Sequence, residues 1–440
     1  MSLNLIFYRS YVWRLIQFAS SGLLNIYLAY TFGAQLTGQF YGILYLFLTA
    51  SNFFVFGFDV SLNYYVAKKA LKTSDAVTIT FLMTGISVIL SMIIFPVYFQ
   101  YNTFPEFRLQ KLLIYTFLFV AGNVLIVFSG AILTAGNKNH LIGKFTAINN
   151  SLLLLLAIVL VNRYAPHPAA DHFFTWYFIF YFLQGVLMIS LLAGSFRRIA
   201  GFRWPPPRLF VKLLRFSGFI FITNFLFYIS NKIPVMLAGT GSDFLTSGNY
   251  IQAYKLVEYI SAMASFLYFP AVAMVAAEKN TVAGERILFL VRISNTFILL
   301  VSLLLVATGR ILFPWIFGQS FSQVYPIFLY LLPGLLAAGS SPFLTAYFFG
   351  TGRVRYNFVS ALIMLVSLTV SLVLLPHTMG IMRIAAAFSI SGIISFLYDA
   401  LAFRKFFRYK LADILLLQKN DAARLFLFLK SLLINRNGGD

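Results

Sequence analysis

Cysteine is absent from the 440 residues, which excludes disulfides, thiol chemistry and Cys-ligated metal sites. Histidine is scarce: His140, His167, His172 and His377 fall in predicted loops and form no ligand cluster, so no metal or other cofactor is expected. Charge is scarce as well. Only 10% of the residues are Asp, Glu, Lys or Arg, against 60% hydrophobic, whereas a soluble domain carries about 25% charged residues. Apolar sequence fills the gap. Runs of about 18–25 residues recur along the whole length, each able to cross a hydrocarbon core of about 30 Å. The chain reads as an all-α polytopic membrane protein. Its first apolar stretch runs into Thr31-Phe32-Gly33-Ala34-Gln35 rather than a small-residue cleavage site, so it reads as a retained span.

Twelve spans are predicted, at roughly 11–32, 39–58, 76–98, 112–135, 146–162, 173–195, 217–239, 248–273, 288–309, 325–348, 358–376 and 383–402. The scarcest charge is negative: 12 acids face 33 Lys and Arg, for a net charge of +21. Those cations are unevenly placed. With Arg9, the connections after spans 2, 4, 6, 8 and 10 and the tail hold about 24 of them. The opposite connections hold Arg108, Lys111, Arg163, Arg310 and Arg383. The positive-inside rule then makes both termini cytoplasmic, in an inner (plasma) membrane, and an even span number agrees. The same asymmetry explains the basic excess without nucleic acid. The Leu/Phe and Lys/Arg mixture from about 404 onward is too short-ranged to span and reads as an interfacial helix.

The halves echo each other at an offset of about 210 residues. Gly38-Gln39-Phe40-Tyr41 opens span 2 as Gly248-Asn249-Tyr250 opens span 8, and Val66-Ala67-Lys68-Lys69 matches Ala276-Ala277-Glu278-Lys279. Leu133-Thr134-Ala135-Gly136-Asn137-Lys138 likewise matches Phe349-Gly350-Thr351-Gly352-Arg353. The expected division is an N-terminal six-helix lobe over 1–203, a C-terminal six-helix lobe over 204–403 and a cytoplasmic basic amphipathic tail over 404–440, with the boundary at Trp204-Pro205-Pro206-Pro207. Parallel repeats of this kind place a substrate site between two bundles near the midplane, opened alternately to each side.

Against this apolar background four cations stand inside predicted spans: Arg14, Lys232, Lys255 and Arg292. A charge at mid-bilayer depth costs about 2.5–3.5 kcal/mol on insertion scales, so such residues tend to face a polar interior. Arg14, Gln17, Ser21 and Asn25 share one face of span 1; Asn224, Tyr228, Asn231 and Lys232 share one of span 7. Gln252, Lys255 and Glu258 follow at +3 steps on span 8, Tyr45, Asn52, Phe56, Asp59 and Asn63 line span 2, and span 9 offers Arg292 and Asn295. The plainer alternatives are that neutral stripes glue helices together and that Arg14 and Arg292 snorkel to the cytoplasmic face. Likewise, Glu258 could neutralise Lys255, and Asp59 could cap a helix end. Four cations against one or two acids favour an anionic passenger, and the Asn, Gln, Tyr and Ser companions suit hydroxyl-rich sugars.

These features resemble the multidrug/oligosaccharidyl-lipid/polysaccharide exporter superfamily, and within it the Wzx-type oligosaccharide-lipid flippases of the polysaccharide transporter family. The resembling pieces are Gly38-Gln39-Phe40-Tyr41-Gly42, the run from Gly57 to Lys68, Leu214-Arg215-Phe216-Ser217-Gly218, and the run from Gly248 to Glu258. The resemblance implies two pseudo-symmetric six-helix lobes around a central cationic cavity. It also implies that alternating access carries a polyprenyl-diphosphate-linked oligosaccharide from the cytoplasmic to the outer leaflet. Lys255 matches the cavity cation of related lipid II flippases. Two departures stand out. Many relatives carry an acid near Asn231-Lys232, where this chain has lysine, and the two extra terminal spans of lipid II flippases have no counterpart.

The expected substrate-binding residues are thus Lys255, Lys232, Arg14, Arg292, Gln252, Asn231, Asn224 and Asn25, with Glu258 and Asp59 for H+ or Na+ coupling. The expected partners are the lipid-linked glycan, membrane lipid, and the glycan polymerase and assembly proteins that handle an O-antigen, capsule or exopolysaccharide repeat unit. Two other classes were weighed. A drug/cation antiporter of the same superfamily needs more cavity acids. A membrane glycan polymerase or glycosyltransferase needs paired carboxylates or a positioned base, and no such pair is evident, so the chain reads as no enzyme.

Overall fold

The computed structural model describes residues 3–101, 109–136, 138–192, 207–239, 243–266, 268–277 and 280–407, together with 414, 418 and 421. Arg108, Arg197, Arg198, Arg203, the Trp204–Pro206 stretch of the linker, Glu278, Lys279 and most of the tail lie outside them. The described residues form helices and no strand. In order these are α1 (Leu3–Val55), α2 (Phe58–Ala67), α3 (Thr73–Tyr101), α4 (Leu109–Ala135), α5 (Asn139–Arg163), α6 (Pro166–Ser190) and α7 (Pro207–Gly239). There follow α8 (Phe244–Phe266), α9 (Tyr268–Ala277), α10 (Asn280–Phe317), α11 (Val324–Ala338), α12 (Ser341–Gly350), α13 (Val354–Leu374) and α14 (Ile381–Arg404). Among the described residues nine helices are long and apolar enough to cross a membrane, or ten when the bent α1–α2 pair counts as one. Large apolar side chains are exposed along them, as on the Leu300, Leu303, Leu304 and Ile311 stripe of α10. Only hydrocarbon can cover such a stripe, and the chain is a multi-pass membrane protein.

Helix α1 holds the first two predicted spans, broken at Gly33 with φ of +72°. The Tyr41 hydroxyl donates to Asn25 Oδ1 at 3.0 Å, although a straight helix would separate residues 16 apart by about 24 Å. The chain therefore turns back on itself here. A second break, at Phe56-Gly57, bends the helix by 50° into α2. Both residues have positive φ, and a Cβ on Gly57 would lie 3.0 Å from the carbonyl oxygen of Ser217 on α7. Glycine meets both demands, the left-handed backbone and the close helix.

The repeat is legible in the elements. The helical run 58–67 of α2 has a helical counterpart over 268–277. The turn after α4 closes with Lys138 N–H donating to Leu133 O at 2.8 Å; the turn after α12 closes with Arg353 N–H donating to Phe348 O at 2.7 Å. Each is the six-to-one bond that satisfies a terminal carbonyl at a Schellman helix end.

Two compact units emerge from the packing. The first comprises residues 1–251 and 313–322, the second 252–312 and 323–440. The chain passes between them within α8 and α10, so α7 and the start of α8 pack with the first six predicted spans. In the first unit α1 packs on α5 and α7, α4 on α3 and α6, and α2 on α4 and α7. Phe40 stacks on Phe174 at 4.6 Å, Tyr115 on Phe178 at 4.5 Å and Phe119 on Tyr181 at 4.7 Å. In the second unit α14 packs on α11 and α13, and α9 on α12, around Phe343, Leu344, Tyr347, Phe396 and Phe403.

Candidate functional site

The first unit gathers one cation with aromatic and hydroxyl groups. Lys232, on α7, sets its Nζ 4.6 Å from the centroid of the Tyr45 ring. Such a contact is worth about 0.5–2 kcal/mol, more as water is excluded. Tyr41 neighbours Tyr45 at 6.4 Å between centroids and ties Asn25. One turn on, Thr49 Oγ1 lies 3.4 Å from the Tyr228 hydroxyl. Sequence periodicity brought Asn25, Tyr45, Tyr228 and Lys232 onto separate helical stripes, and folding puts them in one neighbourhood. Tyr41 and Thr49 stand one turn to either side of Tyr45, at −4 and +4 on the same face, and the sequence reading left them out of a stripe on which they belong.

The remaining predictions for this unit divide. Ser21 accepts from Asn150 Nδ2 at 2.7 Å, which is helix-to-helix glue. Arg14, half-buried on the same face, has no hydrogen-bond or ion-pair partner among the described residues. On α7, Asn231 spends its Nδ2 on the Phe227 carbonyl at 2.7 Å, and Asn224 is exposed. Asp59 lies in the first turn of α2, where a carboxylate is favoured by the positive end of the helix dipole.

In the second unit, α8 carries Gln252, Lys255 and Glu258 at successive +3 steps. Lys255 is 8% exposed and Gln252 1%; Glu258 is half-buried. The Gln252 amide has no partner for its nitrogen or its oxygen among the described residues, and neither has the Asn295 amide on α10. A buried amide without partners costs about 1–3 kcal/mol by mutational measures, so two open carboxamides in one unit are a cost that packing alone does not explain. Arg292, on α10, is engaged: its Nη1 donates to Asp421 Oδ2 at 3.1 Å. Lys232 and Asn25 thus lie in the first unit, and Lys255, Gln252 and Arg292 in the second.

Two acids escaped the sequence reading. Asp399, on α14, is fully buried and both carboxylate oxygens are without a geometric hydrogen-bond partner among the described residues. One turn away Ser395 and Ser360 share a 2.9 Å hydrogen bond. Asp399 lies inside the predicted span 383–402 and was not singled out there. Asp421 was missed because it lies in a segment read as interfacial. No group of three or more possible metal ligands occurs among the described residues.

With this geometry in view, the chain can be set beside known proteins. No family model and no curated protein sequence matches it. Solved structures do. The lipid II flippase MurJ in an inward closed conformation superposes with a TM-score of 0.65 at 16% identity, over 97% of this chain and 93% of that one. An inward-facing MATE family transporter of the MOP superfamily gives 0.65 at 12%, over 94% and 96%. The fold is that of the MOP superfamily. A third MOP structure, from Pyrococcus furiosus, gives 0.63 at 13% over 93% and 96%; in that protein a reversed polarity of the binding pocket suggests a different function. The expectation drawn from the glycine and aromatic motifs of spans 2 and 8 is met at the level of the MOP fold.

Proposed function

We propose that this chain is a flippase moving a polyprenyl-diphosphate-linked oligosaccharide, an O-antigen, capsule or exopolysaccharide repeat unit, from the cytoplasmic to the outer leaflet of the inner membrane. The observation that carries the reading is the pair of open buried carboxamides, Gln252 and Asn295, in the unit that also buries Lys255. Carboxamides offer donors and acceptors together, as sugar hydroxyls require, and an ammonium in a low-dielectric setting focuses field on a diphosphate. Lys232 on its Tyr45 face adds a second cation beside a ring of the kind that packs against sugar.

In this reading, lobes 1–203 and 204–403 open alternately to the two faces, and both termini are cytoplasmic. Lys255, Lys232, Arg14 and Arg292 hold the diphosphate, Gln252, Asn231, Asn224 and Asn25 take the sugars, and the lipid chain stays in the bilayer. H+ or Na+ supplies the driving force through Glu258, with Asp59 second, and glycan polymerase and assembly proteins receive the product. The chain itself makes and breaks no covalent bond. The test is surface glycan display in cells relying on this gene. Lys255→Ala and Lys232→Ala should abolish display at unchanged protein level, with Lys→Arg restoring part of it. Normal display by both Ala variants refutes the reading.

The MATE likeness favours a second reading, ion-coupled antiport of drugs or cations. It predicts efflux of a lipophilic cation such as ethidium from loaded vesicles, lost in Glu258→Gln and retained in Lys255→Ala. The flippase reading predicts no such efflux.

A further inference from the structure

Residues at and just beyond the end of α14 pack into the core of the second unit. Phe403 and Phe407 meet Tyr347 at 4.9 and 5.5 Å between ring centroids, and the Arg353 guanidinium lies 3.7 Å above Phe406. Ile414 is fully buried in the same core. Asp421 takes Arg292 Nη1 at 3.1 Å and the backbone N–H of Gln418 at 2.9 Å on one carboxylate oxygen. The two side chains of the pair are 6% and 2% exposed.

So deeply buried a pair is a weak device for stability alone, because desolvating both charges offsets most of their attraction. It does occupy a guanidinium, the group whose fork of donors suits carboxylate and phosphate oxygens. Arg292 stands 12 residues into α10, about 18 Å along its axis at 1.5 Å per residue. The 38 residues of α10 extend about 57 Å, well beyond a hydrocarbon core of about 30 Å. Placing the start of α10 on the cytoplasmic side, as the flippase reading does, puts Arg292 near headgroup depth.

We infer that Asp421 is an internal stand-in for the anionic group of the ligand: its carboxylate latches Arg292 and keeps it from a lipid diphosphate until the pair opens. The identity of the displaced ligand rests on the flippase reading above. Latch and diphosphate compete for one guanidinium, so the latch lowers apparent affinity by the fraction of molecules in which it is open.

The test uses the full chain in lipid nanodiscs, with farnesyl diphosphate as probe and melting temperature measured on the same samples. Asp421→Asn keeps an oxygen for the Gln418 N–H and removes the charge. It should tighten probe binding about tenfold if the latch is closed nine-tenths of the time. Adding Arg292→Gln should cancel that gain. The swap Arg292→Asp with Asp421→Arg should restore the melting temperature without restoring affinity. A lowered melting temperature with unchanged affinity in Asp421→Asn, or a gain that persists with Arg292→Gln, overturns the latch. If Lys232→Ala and Lys255→Ala leave probe binding unchanged in the Asp421→Asn background, the flippase reading fails instead.

Discussion

Gly38 and Gly248, repeat equivalents some 210 residues apart in the chain, meet backbone to backbone. A Cβ on Gly38 would lie 2.8 Å from the nitrogen of Gly248 and closer still to the carbonyl oxygen of Phe244, and one on Gly248 would overlap the carbonyl of Ala34. The same corner is laced by Ser320, whose hydroxyl accepts from Ala34 N–H at 3.1 Å and whose carbonyl accepts from Asn249 Nδ2 at 3.0 Å. Two motifs that read as span openings in the sequence are here one packed joint.

The joint should resist enlargement. Gly248→Ala should destabilise the protein by about 1–3 kcal/mol, the usual cost of overpacking where backbone must move. Gly42→Ala, where a Cβ meets nothing within 4 Å, should be neutral or stabilising by about 0.5–1 kcal/mol. Thermal unfolding in detergent compares the two, and equal melting temperatures would contradict the joint.

The open carboxamides should show a trade between stability and transport. Gln252→Leu and Asn295→Leu each remove a buried amide with no described partner, and each should raise stability by about 1–3 kcal/mol. Both should depress glycan display. A variant that loses stability would mean the amide is already satisfied in the resting protein.

Lys232 and Tyr45 should be separable by chemistry. The Lys232 Nζ lies 4.6 Å from the ring centroid, so Tyr45→Phe, which keeps the ring, should keep glycan display. Tyr45→Leu should lower transport two- to fivefold, as a loss of about 0.5–1 kcal/mol implies.

One pH effect lies outside the spans. Asp243 opens α8: its carboxylate is held below the ordinary carboxylate range by the Thr246 hydroxyl and then by the N–H groups of Thr246 and Leu245. A depressed folded value means the contribution is complete above the unfolded carboxylate pKa, about 3.9. It is lost as pH falls through the lower folded value. Asp243→Ala should therefore cost about 0.5–2 kcal/mol at neutral pH, the price of a lost helix cap. The difference from the unsubstituted protein should shrink in acid melts below about pH 4.

Much of the fold was legible because its signals are local. An apolar run long enough to span shows itself residue by residue, and the echo between the turns after α4 and α12 survived in their matching six-to-one bonds. The breaks were not legible. Spans 2 and 10 are each interrupted, between α1 and α2 and between α11 and α12, because hydropathy is blind to backbone torsion. Helices also outrun their apolar cores: α5 begins at Asn139 and α10 at Asn280, since polar first turns remain helical beyond the hydrocarbon. At the site, Lys255 and Gln252 could be placed on one α8 face by spacing alone. The ring beneath Lys232, the idle amide of Asn295 and the burial of Asp399 depend on neighbours distant in sequence.

The sequence by itself determined the solvent of this protein and the order of its spans, because composition and periodicity belong to each segment separately. The sign of the buried charge was not among them, since Asp399 and Asp421 are buried along with Lys255 and Arg292. Only the tertiary structure decided which of those charges are engaged. Whether an arginine faces a ligand or a carboxylate 129 positions away is settled by where the chain returns, and no local pattern encodes that.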